Sequence, residues 1–417
     1  MVTVYLLLVD LSVPLVFGLI NYFLHSNDNY SEYYLFLYVI FSISIYVLSL
    51  VKDYYKDYFL INFSEKIKIS VITLLFAIFI QLIIYNYLLL KIDVFIFLSW
   101  ILIPIIILIL KYLIKINSNY LKKCPIHIIG EFYKFNDHDI QMLNNKGFLV
   151  YFHNTKENYL SQNMQADESI IILNLSNSDS EDFTEEHFKS ISLKVLELEE
   201  FFEKYLRKIY ILNKKNIFNI NAYNRSDYMM KRVVDFVSII IFIPILILLV
   251  IHIFIMKKVK RIHESIFYKQ PRYGIRNNIF NIYKFRTMHA NSETKGNTYK
   301  DDPRIYSFAT KIRKLRLDEI PQIINIFLGH MHLVGPRAEW VVLSDKYGNK
   351  IRNYNRRHVV RPGITGWAQI AYPYGIDSYD AEQKLMYDLY YIKNWSIWLE
   401  IEICLKTFLV ILDKKGF

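Results

Sequence analysis

Residues 235–256 read DFVSIIIFIPILILLVIHIFIM, an apolar run set between Lys231-Arg232 and Lys257-Lys258. About 20 such residues are enough to cross a bilayer. Yet cations gather on the cytoplasmic side of membrane segments, and here both flanks are basic, continued by Lys260 and Arg261. Pro244, near the centre of the run, removes a backbone donor and clashes with the preceding turn. The pattern predicts two helical legs meeting at Pro244, a re-entrant hairpin over about 233–256 that enters and leaves by one face. Everything downstream then stays cytoplasmic.

Further runs of spanning length lie upstream at 2–24, 33–51, 69–90 and 94–116, predicting a four-helix membrane region over 1–118. The loop HSNDNYSE after the first run has no Lys or Arg, whereas Lys52, Lys56, Lys66 and Lys68 follow the second. Lys111, Lys115, Lys122 and Lys123 close the fourth, so the N-terminus and everything after Lys122 are expected on the cytoplasmic face. The start of the chain lacks a basic n-region and a small-residue cleavage pattern, which favours an uncleaved first helix over a signal peptide. Asp10 lies inside the first run, either as a functional group or as a side chain that snorkels or pairs near the helix end.

Composition agrees with a hybrid of membrane and soluble parts. The 417 residues are 53% hydrophobic and 16% aromatic, and the mean hydropathy is +0.18, too apolar for an ordinary soluble chain. Fifty Lys and Arg against 39 Asp and Glu leave a net +11, favouring lipid headgroups and nucleotides as partners. Nucleic acid fits an aromatic, lipid-like chain poorly. Cys124 and Cys404 form no CxxC, so neither a disulfide framework nor a zinc site is supported.

Between 122 and 222 the pattern changes to short apolar runs (PIHIIG, GFLVYFHN, ESIIILNLS, LKVLELEE) alternating with polar stretches. That alternation predicts a small Rossmann-like α/β domain with a parallel sheet. Gly130 stands alone where a dinucleotide loop needs several glycines, so a structural or regulatory role is expected. The acidic run 178–188 reads as a solvated loop, and ELEEFFEKYLRKI (197–209) as an exposed helix leading back to the membrane.

The third region, 228–417, carries the chemistry. Asp318 and Glu319 adjoin in KIRKLRLDEIPQIINIFLG (311–329), where Pro321 suits a first helical turn and Gly329 a stop. Two carboxylates at a helix start are by themselves an ordinary cap, with the dipole favouring their ionised form. Their cationic surroundings point further. Arg337 and Arg361 occupy turns bounded by Pro and Gly that can fix guanidinium forks on phosphate, and Lys284 and Arg286 add charge. Arg313, Lys314 and Arg316 suit either substrate or an anionic lipid surface. His330 and His332 read as bland, and Asp301-Asp302 as a turn before Pro303. Tyr387, Tyr390, Tyr391, Trp395 and Trp398, interleaved with Lys393, Glu400, Glu402 and Lys406, predict a helix lying in the membrane interface.

From about residue 230 to 412, the motifs KFRTM, LDEIPQ, LVGPR and RPGITGWAQ in that order resemble the bacterial sugar transferase family, the monotopic polyprenyl-phosphate phosphoglycosyl transferases. The four upstream runs and α/β domain resemble its long form. The resemblance implies a mainly α monotopic catalytic domain with a re-entrant membrane helix and interfacial helices, in a multi-pass protein of the bacterial inner membrane. It implies transfer of a sugar-1-phosphate from a UDP-sugar to undecaprenyl phosphate, initiating exopolysaccharide, capsule or O-antigen synthesis. Asp318 would be the nucleophile, forming an aspartyl-phosphosugar, and Glu319 the Mg2+ ligand. Lys284, Arg286, Arg337 and Arg361 would bind substrate, and the long form suggests a homo-oligomer. Glu264-Ser265, Asn278, His332 and Ala338 depart from the usual Gly-Pro, Gly, Ser and Pro, which bears on loop shape and donor preference. The competing class is a non-catalytic membrane protein of polysaccharide assembly or regulation.

Overall fold

The computed structural model describes residues 2–24, 124–154, 170–173, 194–211, 220, 223–289, 302–373, 375 and 377–412, with isolated helical positions between 35 and 111. Two compact units result: 1–171 with 175–195, and 172–174 with 196–417.

In the first unit, α1 (Val2–Leu24) packs Val13 against Tyr38, Ile103 and Ile107. Asp10 accepts a hydrogen bond from Lys111 Nζ at 2.6 Å, with both side chains buried. The first and fourth runs therefore meet, and each ion supplies the charge that the other needs away from water. Lys111 is thus a partner for Asp10 rather than a surface anchor. Most of the second and third runs, and Lys52, Lys56, Lys115, Lys122 and Lys123, lie outside the described residues.

The strands of the α/β module fall where the alternation places them: β1 (Cys124–Ile129), β2 (Phe148–His153), β3 (Ile170–Leu173) and β4 (Lys194–Glu197). Their order is β2-β1-β3-β4, with β1 and β2 parallel and Ile126 opposite Val150. The connection carries α2 (Asp137–Asn145), capped by Asn136, whose Oδ1 accepts from the Asp139 amide at 2.7 Å. Gly130 ends β1 at φ 101°, a conformation suited to glycine. The acidic run 178–188 lies outside the described residues.

The second unit begins with a correction. Residues 197–209 do not form an exposed helix: α3 (Leu198–Phe201) passes into a π-helical turn, Phe202–Leu206, with Phe201, Phe202, Tyr205 and Leu206 buried. Four large apolar side chains within six residues are better satisfied in a core than in water. Arg207 then bonds Glu402 at 2.7 Å, and Lys208 bonds Gln383 at 3.1 Å.

The apolar run 235–256 lies within α4 (Arg225–Val259), capped by Asn224. This helix is continuous through Pro244, so the two legs of the predicted hairpin are not formed. A proline costs one ladder hydrogen bond, and the helix has packing contacts on both sides of Pro244. Ile239, Phe242, Leu246, Leu249, Val250 and Ile253 make a stripe at helical spacing. Its upper part packs with Ile282, Ile323 and Ile326, and its lower part with Phe285 and Ile312. Both ends are tied to the same body: Lys231 Nζ bonds the Val334 carbonyl at 2.9 Å, and Lys257 Nζ bonds the Ser265 carbonyl at 2.9 Å. The opposite face, including Phe236, Ile240, Ile247, Leu248 and Ile251, is exposed. Among the described residues α4 is the helix long and apolar enough to cross a membrane.

Against α4 lies a hairpin, β5 (Phe267–Tyr273) and β6 (Ile279–Phe285), antiparallel with Tyr268 opposite Lys284. Then come α5 (Thr310–Lys314), a 3-10 turn (Leu317–Gln322), α6 (Ile323–Phe327), β7 (His332–Val334), α7 (Val341–Gly348) and a 3-10 turn, Tyr354–Val359. β8 (Gly363–Thr365) pairs parallel with β7, so close that a Cβ on Gly363 would lie 2.0 Å from the Gly335 nitrogen. The chain ends in α8 (Trp367–Ala371), α9 (Ser378–Lys393) and α10 (Ile397–Leu412). Here too the interfacial reading fails in part, because Tyr387, Tyr390 and Tyr391 are core residues and Glu400 and Glu402 are buried in ion pairs. A charge spacing that looks amphipathic is neutralised from Lys231 and Arg207, far away in sequence.

Candidate active site

The dyad sits on the 3-10 turn Leu317–Gln322, which is entered through Arg316 in the left-handed region (φ 57°) and runs on into α6. Gly329, at φ 77°, follows the end of α6. Asn325 fastens this segment to the hairpin: its Oδ1 accepts from the Tyr283 amide at 3.0 Å, and its Nδ2 donates to the Asn281 carbonyl at 2.8 Å. β6 thereby presents Lys284 to the dyad, and Lys284 Nζ donates to Glu319 Oε1 at 2.7 Å. Arg337 reaches the same oxygen at 3.3 Å and Arg316 approaches it at 3.9 Å.

These cations divide the two carboxyls electrostatically. Burial alone would push Glu319 up, but Lys284, Arg337 and Arg316 outweigh it and hold the group well below the usual carboxylate range. Asp318, half-buried, is pushed up by burial and then by the Glu319 carboxylate, against Lys284, Arg313 and Arg316. The helix dipole invoked from sequence therefore does not dominate at Asp318. Glu319 is the fixed anion, and Asp318 carries its charge at higher energy, as suits a group that gives up electrons to an electrophile.

A second rank of cations was not singled out from sequence. Arg272 on β5 donates to the Ala338 carbonyl at 2.9 Å and to Gln270 at 2.6 Å. Arg357 donates to the Arg337 carbonyl at 3.1 Å and pairs with Asp388 at 2.7 Å. Two guanidinium groups thus grip consecutive carbonyls of the loop that carries Arg337. Burial first, then the Arg337 cation, lowers Arg272 to about 10. Glu339 would be raised by burial, but Arg357, Arg337, Arg272 and Lys384 hold it low. The sequence signal for Arg272 is its two-residue spacing from Gln270 on one strand face.

Other expected site residues lie elsewhere. Arg286 reaches Ser265 Oγ at 3.3 Å and stacks over Tyr268. Arg361 bonds the Tyr228 hydroxyl on α4 and lies 5.2 Å over its ring. Of the four predicted substrate cations, Lys284 and Arg337 converge on the dyad. His332 is not bland: its Nδ1 lies 2.7 Å from Asp235 Oδ2, and Asp235 Oδ1 accepts from the Leu333 amide at 2.8 Å. Asp302 caps its own turn by holding Arg304, as the turn reading expects. Glu319, Arg316, Arg337, Arg272, Glu339, Arg357 and Lys384 line the polar end of an open cleft of about 1650 Å³.

A sequence model described as bacterial sugar transferase matches residues 226–414, the span that builds this cleft. The uncharacterized sugar transferase EpsL of Bacillus subtilis is 39% identical over 156 residues, 37% of this chain and 74% of EpsL. The chain belongs to the bacterial sugar transferase family. The UDP-N-acetylgalactosamine-undecaprenyl-phosphate N-acetylgalactosaminephosphotransferase of Aeromonas hydrophila is 40% identical over 188 residues, 45% of this chain and 44% of the relative. The UDP-glucose:undecaprenyl-phosphate glucose-1-phosphate transferase of Escherichia coli (strain K12) is 38% identical over 146 residues, 34% and 32% of the two chains. The match thus spans less than half of these two transferases, and it falls on the part that holds the dyad.

Proposed function

We propose that this protein transfers a sugar-1-phosphate from a UDP-sugar to undecaprenyl phosphate. The observation that carries the reading is a raised Asp318 next in sequence to Glu319, which Lys284 and Arg337 hold and which lines a cationic cleft. An Asp318 carboxylate oxygen attacks the β-phosphorus of the donor, forming a phosphorus–oxygen bond. The bond from that phosphorus to the bridging oxygen breaks, and UMP departs with the electron pair. A phosphate oxygen of the acceptor then attacks the same phosphorus and displaces the Asp318 carboxylate. Arg337 and Arg316, partly exposed beside Glu319, stabilise charge on the phosphoryl oxygens. The names of the Aeromonas hydrophila and Escherichia coli relatives support this donor and acceptor class, since both are named for moving a sugar phosphate from a UDP-sugar onto undecaprenyl phosphate.

Mg2+ fits the donor set on one condition. Among the described residues no three His, Cys, Asp or Glu side chains gather into a cage. Mg2+, however, commonly takes one or two carboxylates and completes its shell with substrate phosphates and water. Glu319, with Asp318 beside it, would hold the ion together with the donor diphosphate. Bound there, the ion would neutralise leaving-group charge.

The continuous α4 bears on location. Between Lys231 and Lys257 the helix rises about 39 Å, yet both lysines bond the same body. A crossing would carry that charged body into the hydrocarbon, so the contacts favour a helix embedded from one side by its exposed apolar face. The proposed setting is the cytoplasmic face of the bacterial inner membrane, at the start of exopolysaccharide, capsule or O-antigen synthesis. Identifying the leaving nucleotide tests the reaction: membranes given a UDP-sugar and undecaprenyl phosphate release UMP, and release of UDP instead would rule the reaction out.

A further inference from the structure

The cleft that ends at Glu319 does not close behind it. It continues as an apolar groove whose walls are α4 and α10 and whose floor is the β7–β8 pair. His332 pairs with Gly363 and Val334 with Thr365, so the residues between them, Leu333 and Ile364, share the other face of the ribbon. That face is the groove floor. On one wall Val237 and Ile241 are a helical turn apart, 49% and 55% exposed. On the other, Phe408 is 60% exposed, and α10 is held to the floor by the Thr365–Thr407 hydroxyl contact at 2.6 Å. One continuous space therefore joins two solvents: a cationic end at Arg337 and Arg272, and a hydrocarbon-like trough open between two helices.

Resting on the reaction proposed above, we infer that this groove holds the isoprene units next to the phosphate of the acceptor lipid, with that phosphate at Arg337 and the tail between α4 and α10. The occupant follows from charge and continuity. A nucleotide sugar has no apolar part to fill the trough, whereas a polyprenyl phosphate has one anionic end and a long branched hydrocarbon in line with it. The groove thus aligns the acceptor oxygen with the phosphorus on Asp318 while the tail leaves along α4 towards the lipid. The C-terminal helix takes on a defined role as one wall of the acceptor site.

The test compares acceptors of different length on purified full-length protein. Phe408→Trp and, on the opposite wall, Ile241→Trp narrow the groove at exposed positions outside the core. Each should lower the ratio of kcat/KM for undecaprenyl phosphate over that for dimethylallyl phosphate, whose single isoprene unit leaves the trough unfilled, by about tenfold, the scale set by misfit in an apolar pocket. An equal loss with both acceptors in both variants would overturn the groove assignment. So would an unchanged ratio accompanied by a changed oligomeric state, which would make the groove a contact between copies. A wild-type protein that releases UMP but shows no preference between the two acceptors would sink the groove and spare the reaction. A wild-type protein that moves no phosphosugar onto either would overturn the reaction and the groove together.

Discussion

Glu400 and Glu319 are both carboxylates that accept a hydrogen bond from a lysine, and they do opposite work. Glu400 accepts from Lys231 at 2.5 Å, from the Tyr391 hydroxyl at 2.5 Å and from Trp395 Nε1 at 2.6 Å, all in the interior. Lys231 spends its three donors on Glu400, Tyr391 and the Val334 carbonyl. The Lys231, Tyr391 and Trp395 donors converge on one Glu400 oxygen, Oε1. Glu319 also has a close lysine, but the side chains of its two arginine partners, Arg337 and Arg316, are 33% and 44% exposed and line a cleft. The closed cluster locks α4 to the body. The open one holds charge in readiness for an anion.

The difference can be broken from either side. The largest expected effect is Asp318→Asn, which should abolish transfer. Because the folded pKa of Asp318 is raised, its ionised form costs stability above its unfolded value, so the amide should melt no lower than wild type at neutral pH. A clear drop in melting temperature would place Asp318 among the structural charges instead. Next comes Lys231→Met, which strands a buried Glu400 and should cost about 3–5 kcal/mol in chemical denaturation. Near-normal stability would show that the closed cluster is not what holds α4.

Lys284→Met sharpens the comparison through pH. In the proposed reaction Asp318 attacks as the carboxylate, so the rate of UMP release should rise with pH through its raised pKa. Lys284 is one of the cations opposing that rise in pKa. Its loss should shift the acid limb to higher pH. An unmoved limb, or one shifted to lower pH, would contradict the electrostatic division of the dyad. The smallest effects belong to Arg286→Lys and Arg361→Lys, whose partners are Ser265 and Tyr228 rather than Glu319. Both should keep kcat within about threefold, in line with substitutions away from the reacting centre.

Local chemistry was legible in the sequence and long-range pairing was not. The four strands of the α/β module, the turn around Pro321 and the stop at Gly329 follow from period and turn residues. The continuous α4 was hidden because its buried stripe, from Ile239 to Ile253, is apolar like the face opposite it, and only the partners on β6, α5 and α6 distinguish the two. Glu400 and Glu402 looked interfacial because their cations, Lys231 and Arg207, are separated from them by 169 and 195 positions. The contact of Arg361 with Tyr228 on α4 was not legible, because 133 positions separate the two. Of the cations in the motifs, Lys284 and Arg337 lie against Glu319, while Arg272 and Arg357, which the motifs did not single out, hold the carbonyls of the loop that carries Arg337.

The most direct test is to incubate purified protein with UDP-sugar in the absence of acceptor lipid and weigh it intact. A covalent phosphosugar adduct is expected, traced by digestion of the same sample to the peptide bearing Asp318, formed together with an equal amount of UMP and lost when undecaprenyl phosphate is added. Full turnover without any adduct on that peptide, or an adduct that persists in Asp318→Asn, would contradict it.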